Sequence, residues 1–577
     1  MTMVTAHLDF KQLPRYQQRT FVPENTNLKD PQQVTGLYQS LFERTIGSSQ
    51  DLEQWLWDRS ELESVLDQEG AVLYIKMTCQ TDDPQYAQDY KRFVEAIFPV
   101  IKPLDHQLNH KYIQERKRFT LDPSRYEVYD RSIRTEVELF REENVSLQTQ
   151  LQLLAQEYQE ICGAMTVQFQ GKEYTLPQMR KFLLEQDRSL RELAWKAVGT
   201  RRWQEENRLD DLFDQMLSLR AQVAINAGCH NYCEYQFRAY HRFDYTPHDC
   251  KKYHDTVAEL VVPLWKDILL RRTQQMSLTH LRPWDLEVDL LGRPALRPFN
   301  HVEELMGGVK TVFKQMDQDL GRQFTEITDL GLLDLDSRKG KAPGGYQSML
   351  AEIRKPFIFM NAVGMDSDVR TLLHEAGHAF HALASSNQPL FSYRHAPMEF
   401  CEVASMSMEL LADNYLSVFY NKEEGWRSRL LLLEDIVEIL VWVATIDAFQ
   451  HWIYENPHHT RDERQRTWIS IRQRFGGDLV DWQGLEKFHV SLWHRQLHIF
   501  ESPFYYIEYG IAQLGALQLW LQAKEDFKKA LDNYRRALAL GGSRPLPELF
   551  ATARLEFNFT AKTIDPLMRA LRKELGL

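Results

Sequence analysis

The chain has little of several features that would each mark a function class. Its 577 residues include six cysteines, scattered at 79, 162, 229, 233, 250 and 401, with no paired C-x-x-C knuckles. That pattern excludes a disulfide framework and suits a reducing compartment. Cys229 and Cys233, four apart in AGCHNYCEY, read as two small, semi-buried helix residues rather than a metal pair. Basic excess is also missing: 69 Lys and Arg stand against 81 Asp and Glu, a formal charge of -12. A nucleic-acid partner is therefore not expected. No apolar run is long enough to span a bilayer. The strongest, LLLLEDIVEILVWVATI at 430–446, carries Glu434, Asp435 and Glu438 and reads as a buried core helix, so no membrane partner is expected. The start, MTMVTAHLDFKQLPRYQQ, shows no basic segment followed by an apolar stretch and a cleavage site, so the expected location is cytoplasmic. Internal repeats and low-complexity tracts are lacking too.

What is present points to a large helical protein. A length of 577 residues exceeds what one hydrophobic core serves, and the 43% hydrophobic share fills more than one. Stretches such as SIRTEVELFREENVSLQTQLQLLAQEYQEICGAM place apolar residues three and four apart, the period of an amphipathic helix. Strand signals are few: AVLYIKMTC at 71–79, the pair MTVQFQG–KEYTL with a Gly-Lys turn, and KPFIFMNAVG at 355–364. Residues 334–347, rich in Gly, Pro and charge, read as a loop. The expected fold is mainly α with a small β-sheet, divided into an N-terminal helical lobe, 1–195, and a catalytic region, 196–577.

The segment DSDVRTLLHEAGHAFHALASS, 366–386, carries the chemistry. Asp366, Ser367 or Asp368 can cap a helix, and SSNQP ends it. Within it, His374 and His378 lie four apart and so share one helical face, where both imidazoles can reach one zinc ion. Glu375 projects beside them, placed for a general base. H-E-x-x-H arises by chance in about one such chain in twenty, so further features matter. Gly377 costs about 1 kcal/mol in a helix interior, which suggests close backbone approach. His381 sits about 10 Å beyond His374 along the axis, too far for the same ligand set, and suits a bracing or substrate-side place.

A third ligand is needed. After Pro397 comes MEFCEVASMSMELLADNYLSVFY, in which Glu399, Glu402, Glu409 and Asp413 fall on one helical face. Such a face can supply the third ligand and carboxylates that orient the imidazoles. Spacing does not choose between Glu399 and Glu402.

These residues resemble the oligoendopeptidase F and Pz-peptidase group of the thimet-oligopeptidase-like zinc metallopeptidases. The likeness rests on H-E-x-G-H-x-x-H at His374 to His381, E-V-A-S at Glu402 to Ser405, and Glu409 seven residues on. It covers roughly residues 200 to 570. It implies a two-lobed helical body enclosing a deep channel, one Zn2+ per chain, and His374, His378 and Glu402 as metal ligands. KPFIFMN resembles the family's active-site edge strand, so substrate backbone would pair near Phe357 to Asn361. HIFESPFYYIEYGIAQLGA resembles its His and Tyr substrate loop, which implies catalytic donors at His498, Tyr506 and Tyr509, with Tyr505 the alternative register for Tyr506. His494 and His498, also four apart, lack an accompanying acid and do not read as a second metal pair.

The implied activity is a zinc endopeptidase cutting internal bonds of short unfolded peptides, with Glu375 as general base. The rival readings are a zinc exopeptidase and a non-catalytic helical interaction protein. Monomer and homodimer both remain open.

Overall fold

Long segments rich in Leu, Glu, Gln and Arg become helices, and the computed structural model, which describes residues 10–81, 83–338, 341–342 and 344–577, is mainly helical with two small sheets. The loop read at 334–347 and the segment read for an export signal lie partly outside the described residues. Among the described residues no helix is long and apolar enough to cross a membrane. The apolar run at 430–446 lies inside one helix, Lys422–Glu455, and buries Leu433, Val437, Leu440, Val441 and Ala444.

The chain forms two units, each assembled from separated stretches. One comprises Met1–Phe140, Arg297–Gly425 and Gly515–Phe557; the other comprises Arg141–Leu296, Trp426–Leu514 and Asn558–Leu577. The boundary expected between 195 and 196 falls inside the helix Arg188–Trp203.

The first unit has a core of Leu, Val, Tyr and Trp that includes Trp55, Leu62, Phe93 and Tyr112. Residues 71–79, expected as a strand, are the last turns of the helix Ser49–Cys79, which Ser48 caps through the Asp51 N–H. A helix already nucleated adds each residue cheaply, and that outweighs the tenths of a kcal/mol by which Val72, Ile75 and Thr78 disfavour it. The same unit holds a three-stranded sheet. Defining the strands in chain order, β1 (Thr166–Phe169) and β2 (Lys172–Thr175) belong to the second unit, and β3 (Leu333–Asp336), β4 (Tyr346–Leu350) and β5 (Lys355–Ala362) belong here.

The sheet order is β3-β5-β4, so β5 is central rather than the expected edge. Both of its sides are engaged: Ile358 lies opposite Leu333 in the parallel pairing with β3, and Phe357 opposite Ser348 in the antiparallel pairing with β4. Its near-continuous apolar run is what a strand buried on both faces requires. The open edges therefore belong to β3 and β4.

In the second unit, β1 and β2 form the expected hairpin, with Phe169 opposite Lys172. The turn is Gln170-Gly171, one residue earlier than expected, and both residues have positive φ, 49° and 76°. That is the twist a two-residue hairpin turn demands.

Candidate active site

In the first unit the helix Asp366–Ala384 begins after Met365, and the Asp368 carboxylate accepts from the Val363 and Met365 N–H groups at 2.8 Å each. Those bonds satisfy donors that a helix start leaves open. A second helix, Met398–Ala412, packs against it. Gly377 sets the closeness of that packing: a Cβ there would lie 2.6 Å from Ser405 Cα and 2.7 Å from the Ala404 carbonyl oxygen. Only a glycine permits this approach, which brings Glu402 to the two histidines.

His374, His378 and Glu402 place one ring nitrogen each and a carboxylate oxygen within 4.8 Å of one another. Glu402 Oε2 is 3.4 Å from His374 Nε2 and 3.6 Å from His378 Nε2. Tetrahedral zinc with bonds of 2.0–2.2 Å needs its N and O donors about 3.4 Å apart, so the three atoms fit such an ion. The group singles out Glu402 rather than Glu399, which is buried nearby on the same helix.

Neighbouring groups fix each donor. Glu409 Oε1 lies 2.8 Å from His374 Nδ1, which leaves Nε2 directed at the common point. His378 bonds to the Cys401 backbone. Ser405 Oγ donates to Glu402 Oε2 at 3.0 Å. Burial opposes a charge on His374, but its bonds to Glu402 and Glu409 prevail and hold its pKa well above the ordinary value. Burial lowers His378 to about 4. At Glu402 burial is outweighed by His378 and then His374, which hold the carboxyl at about 2.

Glu375 is 7% exposed, and its Oε2 has no hydrogen-bond partner. Burial pushes it up to about 7, opposed by His374 and reinforced by the charges of Glu402 and Glu409. An unpaired buried carboxyl beside a ligand-type trio is a proton acceptor without another structural task. His381 packs its ring 6.0 Å from that of Phe400, and its Nε2 makes no hydrogen bond. Asp413, on the expected acidic face, pairs instead with Arg370 at 3.0 Å.

The second unit carries the His and Tyr loop. Trp442 Nε1 donates to Gln496 Oε1 at 2.9 Å, which orients the amide so that Gln496 Nε2 donates to His498 Nδ1 at 2.8 Å. The His498 proton is thus on Nε2, 3.5 Å from the Tyr509 hydroxyl. Gln496 has no motif signal and was invisible in the sequence. Phe504, a bulky residue with φ 65°, is held by Gln450, whose Oε1 accepts its N–H at 2.8 Å, and by Arg242, which donates to its carbonyl at 2.7 Å. A bulky residue in the left-handed region persists only when surroundings over-determine it, so this loop is built rigid.

Tyr505 and Tyr509 are half-buried, whereas Tyr506 is 7% exposed. Tyr505 and Tyr506 precede the helix Ile507–Glu525, which carries Tyr509. Tyr506 packs its ring 5.1 Å from that of His498 and 5.3 Å from that of Tyr509. His494 lies 3.2 Å from Asp210 and has no part in a metal pair with His498.

The profile of Peptidase family M3 matches residues 182–569, and that of the Peptidase M3 N-terminal domain matches 24–140. An oligoendopeptidase F homolog of Borreliella burgdorferi is 26% identical over 52% of this chain and 52% of its own length. Oligopeptidase PepF of Bacillus subtilis is 28% identical over 39% of this chain and 34% of its own. The chain thus spans about half or less of the length of the curated relatives it matches. A solved structure of PZ peptidase A with an inhibitor superimposes with TM-score 0.88 at 26% identity, over 96% of this chain and 98% of that one. Another, described as an oligoendopeptidase F, gives TM-score 0.89 at 27% identity over 97% and 99%. With a family profile matched over more than half its length, around the residues that form the donor trio, the chain belongs to Peptidase family M3.

Proposed function

We propose that this chain is a zinc endopeptidase that hydrolyses internal bonds of short, unfolded peptides. The observation that carries the reading is the unpaired Glu375 carboxyl beside the trio of His374, His378 and Glu402. Two imidazoles and one carboxylate suit zinc among the common divalent ions, and an N and O donor set leaves a position open for substrate. When bound, zinc supplies Lewis-acid polarisation and a nucleophile at neutral pH.

The chain's own residues supply the remainder. Glu375 takes the proton of the attacking water on its free Oε2 and passes it to the leaving amine nitrogen. A pKa near the working pH is what such two-way transfer needs. Glu409 keeps His374 in the correct tautomer. Among the chain's remaining groups, His498 is a donor through Nε2–H, and Tyr505 and Tyr509 through their hydroxyls, suited to an oxygen that becomes anionic. Tyr506, buried against the His498 and Tyr509 rings, positions this loop. Backbone pairing with substrate falls to the open edge of β4 rather than to β5, and gives affinity with little side-chain selectivity. Six cysteines, none of them in a disulfide, fit a cytoplasmic location.

The reading is tested on an internally quenched peptide of about ten residues, blocked at both ends. Internal cleavage, with product masses summing to the substrate plus water, supports an endopeptidase. Activity confined to unblocked peptides, releasing single residues, assigns an exopeptidase instead.

A further inference from the structure

A second group of donors lies in the second unit. Two helices, Pro247–Thr256 and Lys422–Glu455, each offer two ligand-type side chains one turn apart: Cys250 with His254, and Asp447 with His451. Four-residue spacing puts both members of each pair on one face. Cys250 Sγ, an Asp447 carboxylate oxygen and a His451 ring nitrogen lie within 4.8 Å of one another. None is more than 2% exposed.

Part of the hydrogen bonding around them is filled. His254 Nε2 lies 2.8 Å from Asp447 Oδ2, and Cys233 Sγ lies 3.7 Å from His451 Nδ1. Asp447 Oδ1 and His451 Nε2, however, have no hydrogen-bond partner among the described residues. His451 Nε2 sits 3.3 Å from Asp447 Oδ2 without forming a hydrogen bond. Buried polar atoms are almost always satisfied, so two orphans within one donor group ask for a missing partner.

Charge and softness specify that partner. A thiolate and a carboxylate carry two negative charges, which one divalent cation neutralises in a dry interior. Sulfur, imidazole and carboxylate together suit zinc rather than calcium or magnesium. The surrounding groups have the arrangement a metal site needs: His254 braces the carboxylate, and Cys233 holds the Nδ1 side of His451 so that Nε2 is the free donor.

We infer that Cys250, Asp447 and His451 bind a second divalent zinc-type ion, which cross-links the helices Pro247–Thr256 and Lys422–Glu455. Binding converts the Cys250 thiol to thiolate, releasing one proton to solvent as the sulfur–metal bond forms. The site has no opening to substrate, so its role is structural.

Cobalt distinguishes this site from the His374 trio, because only a sulfur ligand gives a thiolate-to-cobalt charge-transfer band in the near ultraviolet. Metal content and absorption are measured on cobalt-loaded full-length wild type, on His374→Ala/His378→Ala, and on each with Cys250→Ala or His451→Gln added. The inference expects two ions per wild-type chain, one in the double-alanine variant with the band retained, and loss of that ion and band when Cys250 is removed. Should the added substitutions prevent folding, the double-alanine variant decides alone, since it leaves the second site intact. A folded double-alanine variant without metal, or one holding cobalt without the sulfur band, overturns the inference.

Discussion

The two donor groups of this chain are built from the same device, two helices that each present side chains one turn apart or at a close crossing, yet they differ in access. At the first, the side chains of His374 and His378 are 22% and 17% exposed. At the second, those of His451 and Asp447 are 3% and 0% exposed. The first also places an unpaired acid, Glu375, beside the donors, whereas the second surrounds them with rings such as Phe237 and Phe504. An open position and a spare proton acceptor suit turnover. A sealed set containing sulfur suits a permanent cross-link. Donor type alone does not distinguish catalytic from structural sites; exposure and the adjacent proton acceptor do.

The comparison breaks most sharply at Glu402. Glu402→Ala removes a charged donor of the open site and should abolish turnover together with its metal, while Glu399→Ala should retain both. Metal analysis after dialysis checks this, and the reverse result would transfer the ligand role to Glu399. Next in size are the tyrosines. Tyr505→Phe or Tyr509→Phe should lower kcat about 10²-fold at unchanged metal content, as loss of an oxyanion donor does. Tyr506→Phe should instead spare kcat and lower stability by about 1 kcal/mol, read from the denaturant midpoint. Equal kinetic losses at 505 and 506 would undo that division. Glu409→Ala, which unfixes the His374 tautomer, should cost roughly 10–100-fold in metal affinity or activity, measured by competition with a chelator.

The smallest effect is on the scaffold. Gly377→Ala gains about 1 kcal/mol of helix propensity. The new Cβ meets Ser405 Cα at 2.6 Å, and overpacking of that kind costs about 1–3 kcal/mol. Net destabilisation with weaker metal binding is expected in thermal melts of the metal-free and metal-loaded protein. Unchanged melting would mean the two helices can separate without consequence.

Much of the first site was legible because it is local. His374, Glu375 and His378 declare themselves by spacing on one helix, and Gly377 by its cost in a helix interior. The choice of Glu402 over Glu399 was not legible from spacing, since it depends on how two helices cross, and only the resemblance to a family pointed to it. The tyrosine register stayed open because Tyr505 and Tyr506 precede the helix start at Ile507, where helical spacing does not apply. The run at 71–79 has strand-like composition, but it continues a helix nucleated two dozen residues earlier. β5 was recognised as a strand, but edge or centre is a property of its neighbours. The second donor group left only two four-residue spacings, Cys250 with His254 and Asp447 with His451, because the two pairs are brought together by tertiary packing.

The account rests most heavily on Glu375 as a residue that moves a proton and does not hold the metal. Turnover of the blocked, quenched peptide and metal content are therefore measured on the same preparations of wild type and Glu375→Gln. The account predicts equal metal in both, and turnover in the variant lower by at least the order of 10²–10⁴ that loss of a general base brings. Substantial turnover in Glu375→Gln at full metal loading would contradict it.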